Sequence, residues 1–113
     1  MIKDDCLFCK IANGSGEKVF ENDDFVIIKD IAPQAKLHYL AIPKQHFDDI
    51  TVFAKENSDL LTKMLTEIAD LKNTLGLEDG FRLITNVGTN GCQSVKHIHI
   101  HLLGGEKLSE KMG

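Results

Sequence analysis

Three histidines near the C-terminal end of the chain alternate with aliphatic residues, in the order His97, Ile98, His99, Ile100, His101 and Leu102. Successive side chains of a β-strand point to opposite faces, so this spacing predicts three imidazoles on one face, roughly 6.6 Å apart, above an aliphatic face in the core. An outer face that needs only to be polar more often uses Thr, Lys or Glu. The row of imidazoles therefore predicts a functional surface.

Nucleophilic catalysis is the chemistry that best fits this row. Parallel rings on one strand converge poorly on a single metal ion, because tetrahedral zinc needs ligands from several directions. A neutral imidazole is a competent nucleophile near neutral pH, and a neighbouring imidazole can donate to a phosphate oxygen or a leaving group. Gly88, Gly91 and Ser94 lie just upstream and predict a turn whose amides and hydroxyl approach an anionic phosphate.

A second pattern opens the chain, where Cys6 and Cys9 form a Cys-x-x-Cys pair. This spacing is typical of half a zinc site, and the total of three cysteines is odd, which makes a disulfide framework a poor reading. From the residues alone, a redox pair and two small buried hydrophobic residues remain alternatives.

The elements that must position these residues are short strands and one long helix. Leucine, isoleucine and methionine recur every three or four positions over residues 58–75, which predicts a helix with a buried stripe that includes Met64. Asn57 or Ser58 is placed to cap its start, and Gly76 to end it in a left-handed conformation. β-Branched runs and turn residues predict strands over residues 19–21, 25–30, 37–42, 81–86 and 94–103.

Length and composition predict one soluble cytoplasmic domain over residues 1–113. The net charge is −4, and Arg82 is the one arginine among thirteen basic residues, so we expect no nucleic-acid strand as a partner. No stretch approaches the roughly 20 apolar residues that cross a bilayer, so we expect no membrane partner.

The histidine row resembles the signature of the histidine triad family, His-φ-His-φ-His-φ-φ with φ apolar, at every position from His97 to Leu103. The resemblance continues through residues 30–35, 42–46, 86–88 and 93–95, and it covers nearly the whole chain. It points to the Hint-like branch, the nucleoside phosphoramidate hydrolases, of the prokaryotic type with an N-terminal Cys-x-x-Cys.

This resemblance implies an α+β fold, in which a five-stranded antiparallel sheet carries one long helix and a short N-terminal helix and dimerises into a ten-stranded sheet. It also implies hydrolysis of the phosphorus–nitrogen bond of purine nucleoside 5′-phosphoramidates, such as amine or lysine conjugates of AMP, with no cofactor for the chemistry. Two alternatives are hydrolysis of dinucleoside polyphosphates, as in the fragile-histidine-triad branch, and a nucleotide-binding regulatory module.

The resemblance assigns the chemistry residue by residue. His99 attacks the α-phosphorus and forms a covalent nucleotidyl-histidine, which water then hydrolyses. His101 contacts the phosphate and assists the leaving group, while Ser94 and Gln93 hold the phosphoryl oxygens or the bridging atom.

Nucleotide binding involves a further set of residues by the same resemblance. Asn86 lines the cleft, and Asp30 accepts hydrogen bonds from the ribose hydroxyls, a role that suits an acceptor-only carboxylate. The purine slot consists of Leu7, Phe8, Ile11, Ile28 and Ile31.

The resemblance also gives the cysteines partners, because many such proteins hold a structural zinc ion with Cys6, Cys9, His46 and His97 in the numbering of this chain. Such a site would anchor the N-terminal segment and fix the first histidine of the row. The alternative is that His46 and His97 bond to each other and the thiols stay metal-free.

Two residues stand outside these sets. His38 has no second ligand beside it in the sequence and is interpreted as a packed, hydrogen-bonded structural histidine. Cys92 occupies a position where Hint relatives usually have glycine, next to Gln93, and is interpreted as a small residue without a catalytic role. The alternative is a side chain that narrows the cleft or exposes a thiol there.

Overall fold

Five strands form one antiparallel sheet in the computed structural model, which describes residue 3 and residues 5–111. The sheet order is β1-β2-β3-β5-β4. β2 and β3 are antiparallel neighbours, as the short connection between them predicts. The α+β fold implied by the resemblance is confirmed. The strands are β1 (Phe20–Glu21), β2 (Phe25–Lys29), β3 (Leu37–Pro43), β4 (Phe81–Ile84) and β5 (Ile100–Gly104).

Three helices accompany the sheet, α1 (Leu7–Asn13), α2 (Ile50–Glu56) and α3 (Ser58–Leu71). Asn57 caps α3 by accepting from the Leu60 N–H at 3.2 Å. α2, which Asp49 caps, is absent from the sequence prediction because seven residues are too short to show a helical period. Within the described residues, no helix is long and apolar enough to cross a bilayer.

The long helix ends earlier than predicted, at Leu71 rather than Leu75, and turns continue from there to Gly76. The Gly76 N–H donates to the Asn73 carbonyl at 3.1 Å, and the Leu77 N–H donates to the Lys72 carbonyl at 2.8 Å. These two bonds form a Schellman motif with Gly76 in the left-handed region at φ +77°. The predicted role of Gly76 is therefore confirmed.

The two faces of the sheet bury different clusters. Alternate residues of β2, β3 and β5 pack under α2 and α3, and the residues between them face α1. The first cluster includes Phe25, Ile27, Tyr39, Phe53, Met64, Ile68, Ile98, Ile100 and Leu102. The second includes Cys6, Phe8, Cys9, Ala12, Val26, Leu40 and Ile42. The histidine row shares the α1 face with this second cluster.

The last strand is shorter than the predicted 94–103, because β5 begins only at Ile100. Ala41 of β3 pairs with Ile100, so two residues further along this register Pro43 would stand opposite Ile98. Proline has no N–H for the ladder, and the Ile98 N–H donates instead to the Phe47 carbonyl at 2.7 Å. His97 and His99 therefore precede the strand, although Ile98 still faces the core.

Candidate functional site

His99 is held in the tautomer that a nucleophile requires. Its Nδ1 lies 2.8 Å from the His97 carbonyl oxygen, which only accepts, so Nδ1 carries the proton and Nε2 keeps its lone pair. The Phe8 ring of α1 packs edge-on against the His99 ring, with centroids 4.8 Å apart. His99 is buried, and these two contacts fix the position of its ring.

His101 is positioned by a histidine from the neighbouring strand. The Gln34 N–H donates to Nδ1 of His38 at 3.0 Å, so the proton of His38 resides on Nε2. That Nε2 lies 2.9 Å from Nδ1 of His101, which therefore accepts. The proton of His101 is then on Nε2, where it is available to a phosphate oxygen or a leaving group.

His38 is thus buried and hydrogen-bonded, as predicted, but its partner is a residue of the histidine row. In the sheet, His38 pairs with Leu103 and Leu40 pairs with His101, so the two histidines are diagonal neighbours on one face. The sequence shows that His38 shares a strand face with Leu40, but the register of β3 against β5 is needed to find its partner.

Burial favours the neutral form of two rings in the row, those of His97 and His101. Removal from water is the main cause that lowers the pKa of His101, the neighbouring His99 and His38 lower it further, and Asp30 partly offsets them. Burial likewise lowers the pKa of His97 to about 4. Both rings are therefore neutral near physiological pH, the state in which one can donate from Nε2 and the other can ligate a metal.

Asp30 lies at the outer end of the same hydrogen-bond chain. Its Oδ1 accepts from the Ala32 N–H at 2.8 Å, and its Oδ2 lies 3.4 Å from His38 Nε2. Asp30, His38 and His101 lie close enough to share a metal ion. However, an ion on His38 Nε2 would move the ring proton to Nδ1, where it would face the Gln34 N–H. The arrangement of donors therefore favours a hydrogen-bond relay at this cluster.

A second cluster, which we call the metal cluster, consists of Cys6, Cys9, His46 and His97, and it is able to hold a metal ion. All four ligand atoms lie within 4.8 Å of one another. His97 Nδ1 lies 3.3 Å from Cys6 Sγ and 3.4 Å from Cys9 Sγ, and His46 Nδ1 lies 3.5 Å from Cys9 Sγ. In a tetrahedral zinc site these sulfur–nitrogen distances are about 3.6 Å, given the usual bond lengths.

The outer nitrogens of both histidines in the metal cluster are occupied, which turns their Nδ1 atoms inward. His97 Nε2 donates to the Pro43 carbonyl at 2.8 Å, and His46 Nε2 donates to Asp48 Oδ1 at 2.7 Å. Metal-binding histidines characteristically make such an outer bond, because it fixes the tautomer and orientation of the ring. Asp48 is a supporting residue that the sequence analysis missed, although it stands only two positions after His46.

The loop before the histidine row is held by the Gln93 amide. Its Nε2 donates to the carbonyls of Asp48 at 2.6 Å and Val95 at 3.0 Å, and its Oε1 accepts from the Gly88 N–H at 3.0 Å. Each hydrogen of the amide is thus donated to a backbone carbonyl, one of them outside the loop. The contact predicted between Gln93 and a phosphoryl oxygen would require one of these bonds to break.

Cys92, directly before Gln93, has φ +60° and is the one non-glycine residue with a positive φ in the described part of the chain. Glycine adopts this conformation without steric cost, which is in keeping with the glycine that the resemblance implies at this position. Cys92 is exposed, and its side chain lines the same cavity as His101 and Asn86.

That cavity has a volume of about 620 Å³, and its lining includes four of the residues discussed above, His38, Asn86, Cys92 and His101. Arg82 and the segment from Leu108 to Lys111 border it as well. The Arg82 guanidinium fixes this segment by donating to the Ser109 carbonyl at 2.6 Å. Neither feature was predicted from the sequence, because the contact joins β4 to the segment that follows β5, 27 residues further along the chain.

The residues predicted to hold a nucleotide are distributed over three openings. Ile11, Ile28 and Ile31 line a smaller cavity of about 250 Å³ together with Val19, which the sequence analysis missed. Phe8 is buried against His99. Leu7 and Ser94 line a third opening, of about 520 Å³, that also borders Cys6 and His46. The structure thus brings three of the five predicted purine-slot residues together and places Ser94 on the side of the metal cluster.

Comparisons with known proteins show the family to which the chain belongs. Residues 5–113 match the family model described as the scavenger mRNA decapping enzyme C-terminal binding region. Protein HitA of Neisseria gonorrhoeae is 44% identical over 103 residues, which are 89% of this chain and 96% of that protein.

Two solved structures share the fold over nearly their whole length. A histidine triad protein from Clostridium difficile has a TM-score of 0.90 and 36% identity, covering 99% of this chain and 100% of that one. A HIT family hydrolase from Legionella pneumophila Philadelphia 1 has a TM-score of 0.86 and 43% identity, and the match covers 96% of this chain and 99% of that one. With the histidine row intact on the same fold, this chain belongs to the histidine triad (HIT) family.

Proposed function

We propose that the chain is a nucleotide phosphoramidase, which cleaves the phosphorus–nitrogen bond of purine nucleoside 5′-phosphoramidates through a nucleotidyl-histidine on His99. The observation that carries this proposal is the bond from His99 Nδ1–H to the His97 carbonyl at 2.8 Å. It leaves Nε2 with a lone pair in a ring that is neutral in this tautomer. A neutral imidazole is a suitable nucleophile toward phosphorus.

The reaction takes two steps. His99 Nε2 forms a bond to the α-phosphorus as the phosphorus–nitrogen bond breaks, and the nitrogen takes a proton from water and departs as a free amine, which leaves hydroxide. Water then attacks the phosphorus, the bond to His99 breaks, and the nucleoside monophosphate leaves, while the proton released by the attacking water neutralises that hydroxide. His101, whose Nε2–H is fixed by the bond from His38, donates a hydrogen bond to the leaving nitrogen in the first step and to a phosphoryl oxygen in the second.

The cavities suggest where the two halves of the substrate bind. The cavity beside His101 is open, and Asn86 and Arg82 give it polar walls, so we assign it to the phosphate and the leaving amine. The apolar cavity lined by Ile11, Ile28 and Ile31 is assigned to the purine. Asp30 lies in the chain between Ile28 and Ile31, in a position to accept from the ribose hydroxyls.

The metal cluster is proposed to hold zinc in a structural role. Two thiolates and two imidazoles form a closed four-ligand set, which leaves no open position for a substrate. The chemistry therefore needs no cofactor. Metal analysis of protein purified without added zinc tests this role, and we expect about one equivalent of zinc per chain. A zinc content below about half an equivalent, unchanged in the Cys6→Ser variant, would contradict it.

We also propose that the chain acts as a single-domain homodimer in the cytoplasm. β4 is an edge strand of the sheet and its Leu83 is exposed, which provides a surface for a second copy. Light scattering coupled to size exclusion tests this assignment. We expect twice the mass of the 113-residue chain, and a monomer at micromolar concentration would contradict it.

The proposed activity is tested by steady-state rates of the wild type and His99→Ala on an adenosine 5′-phosphoramidate and on diadenosine polyphosphates. We expect the wild type to prefer the phosphoramidate and the variant to lose at least about a thousandfold in kcat, because the nucleophile is removed. Equal rates for both proteins would overturn the mechanism. A strong preference for the polyphosphates would favour the alternative activity of the fragile-histidine-triad type.

A further inference from the structure

His97 connects the metal cluster to the proposed nucleophile. Its imidazole Nδ1 lies 3.3 Å from Cys6 Sγ and 3.4 Å from Cys9 Sγ, while its backbone carbonyl accepts from His99 Nδ1–H at 2.8 Å. His97 is fully buried, so its ring has little room to move independently of its backbone. Any change in the ligands around the ring therefore reaches the bond that fixes the tautomer of His99.

Phe8 provides a second connection. It stands between the two cysteines in sequence, and its ring packs edge-on against His99 with centroids 4.8 Å apart and against His97 at 6.2 Å. Phe8 and Cys9 both belong to α1, and Cys6 immediately precedes that helix. A movement of either sulfur that shifts α1 must shift Phe8 against the nucleophile.

The two cysteines differ in their access to solvent. Cys6 is 8% exposed and borders the 520 Å³ opening together with Lys3 and Lys96, whereas Cys9 is 1% exposed and does not line that opening. The Cys9 N–H donates to Cys6 Sγ at 3.3 Å, which keeps the Cys6 side chain folded toward Cys9. A small oxidant therefore meets Cys6 first, with Cys9 close behind it.

We propose that Cys6 and Cys9 are a peroxide-sensitive thiol pair that releases the metal and disables His99. The proposal rests on the metal binding proposed above. The Cys6 thiolate attacks a hydroperoxide, the O–O bond breaks, and a sulfenic acid forms at Cys6 with release of hydroxide or an alkoxide. The Cys9 thiolate then attacks that sulfur, forms the disulfide and releases hydroxide, so two thiolates are oxidised as one peroxide is reduced.

The consequence for the active site follows from the ligand count. A disulfide leaves only His46 and His97 as ligands, and two neutral imidazoles are too few to hold zinc in a closed site. The ring of His97 then loses the partner of its Nδ1, and α1 is drawn to a new position by the Cys6–Cys9 bond. His97 and Phe8 are positioning residues in this scheme, since both act through His99.

The test uses Cys92→Gly protein, which lacks the exposed third thiol, reduced and loaded with one equivalent of Zn²⁺. After hydrogen peroxide is added, we expect zinc release to a chromophoric chelator and a mass lower by two hydrogen atoms, with Cys6 joined to Cys9 in the peptide map. The NMR signal of the His99 Nδ1–H should change at the same rate, and hydrolysis should fall by about tenfold or more. Dithiothreitol with zinc should restore all four readouts.

Cys6→Ser in the same background is the matched control, because it cannot form the disulfide and its mass should not fall by two hydrogen atoms. Zinc release without a Cys6–Cys9 disulfide, a protein that binds no zinc, or a disulfide that leaves the His99 signal unchanged would overturn the proposal. Three of the readouts need no substrate. A protein that releases zinc, forms the disulfide and changes the His99 signal but does not hydrolyse phosphoramidates would therefore contradict the proposed function alone.

Discussion

His38 donates from Nε2 to Nδ1 of His101 across 2.9 Å and thereby determines which nitrogen of His101 carries the proton. Replacing His38 with leucine removes that donor, and His101 is free to adopt the other tautomer. We expect kcat on an adenosine phosphoramidate to fall about 10- to 100-fold with KM little changed. His38→Gln, whose amide can still donate at the position of Nε2, should recover most of the rate. Equal losses for both variants would indicate a packing role only.

The protonation of His101 gives a second prediction. Burial, His99 and His38 lower its pKa and Asp30 raises it, so an NMR titration should place the pKa of His101 below the ordinary histidine value. Asp30→Asn should lower the pKa further. Because the unfolded chain binds this proton at a higher pH, His101 also makes stability fall as pH drops through the interval between the two values. A pKa at or above that of a free histidine would contradict the description of the site.

Asp48 supports the metal cluster through its 2.7 Å bond from His46 Nε2. Asp48→Asn should weaken zinc binding about 10- to 100-fold, as measured by competition with a chelator, because the outer partner of a ligating histidine orients it. Asp70→Asn, at an exposed position of α3, is the matched control for the loss of one negative charge. If the two variants bind zinc equally, Asp48 has no role in the cluster.

Removal of the metal should destabilise the protein. The buried side chains of Cys9 and His97 then lose their shared partner, and the midpoint of thermal unfolding should fall by several degrees or more in excess chelator. Added zinc should reverse the change. A melting temperature that does not respond to the chelator, in protein shown to have lost its metal, would exclude a structural role.

Cys92 tests the loop conformation. At φ +60° a β-branched residue is strained and glycine is not, so Cys92→Val should be less stable than Cys92→Gly by about 1–2 kcal/mol in denaturant unfolding. Equal stability of the two variants would show that this turn does not hold the left-handed conformation in solution.

Alternation along the strands was sufficient to predict most of the sheet and the face on which the histidines lie. It could not predict where the last strand begins, because that depends on Pro43, which would fall opposite Ile98 if the pairing continued and has no N–H for the ladder. α2 was missed for a different reason, since its seven residues rely on the Asp49 cap rather than on a periodic stripe.

The candidate site likewise has features that could be predicted from the sequence and features that could not. The resemblance to the family predicted the four residues of the metal cluster, and the structure brings their ligand atoms together. The partnership of His38 with His101 joins positions 63 residues apart and depends on strand register, which one sequence does not encode locally. The hydrogen bonds of the Gln93 side chain could not be predicted either, because they depend on where the Asp48 and Gly88 backbones lie.

Rapid acid-free quenching of the wild type with an adenosine 5′-phosphoramidate, followed by peptide mass spectrometry, shows whether His99 forms a covalent bond to the substrate phosphorus. We expect an adenylyl group on the peptide that contains His99, formed faster than steady-state turnover and absent from His99→Ala. Hydrolysis by the wild type without any adenylylated peptide, or an adenylyl group on another residue with His99→Ala still active, would contradict it.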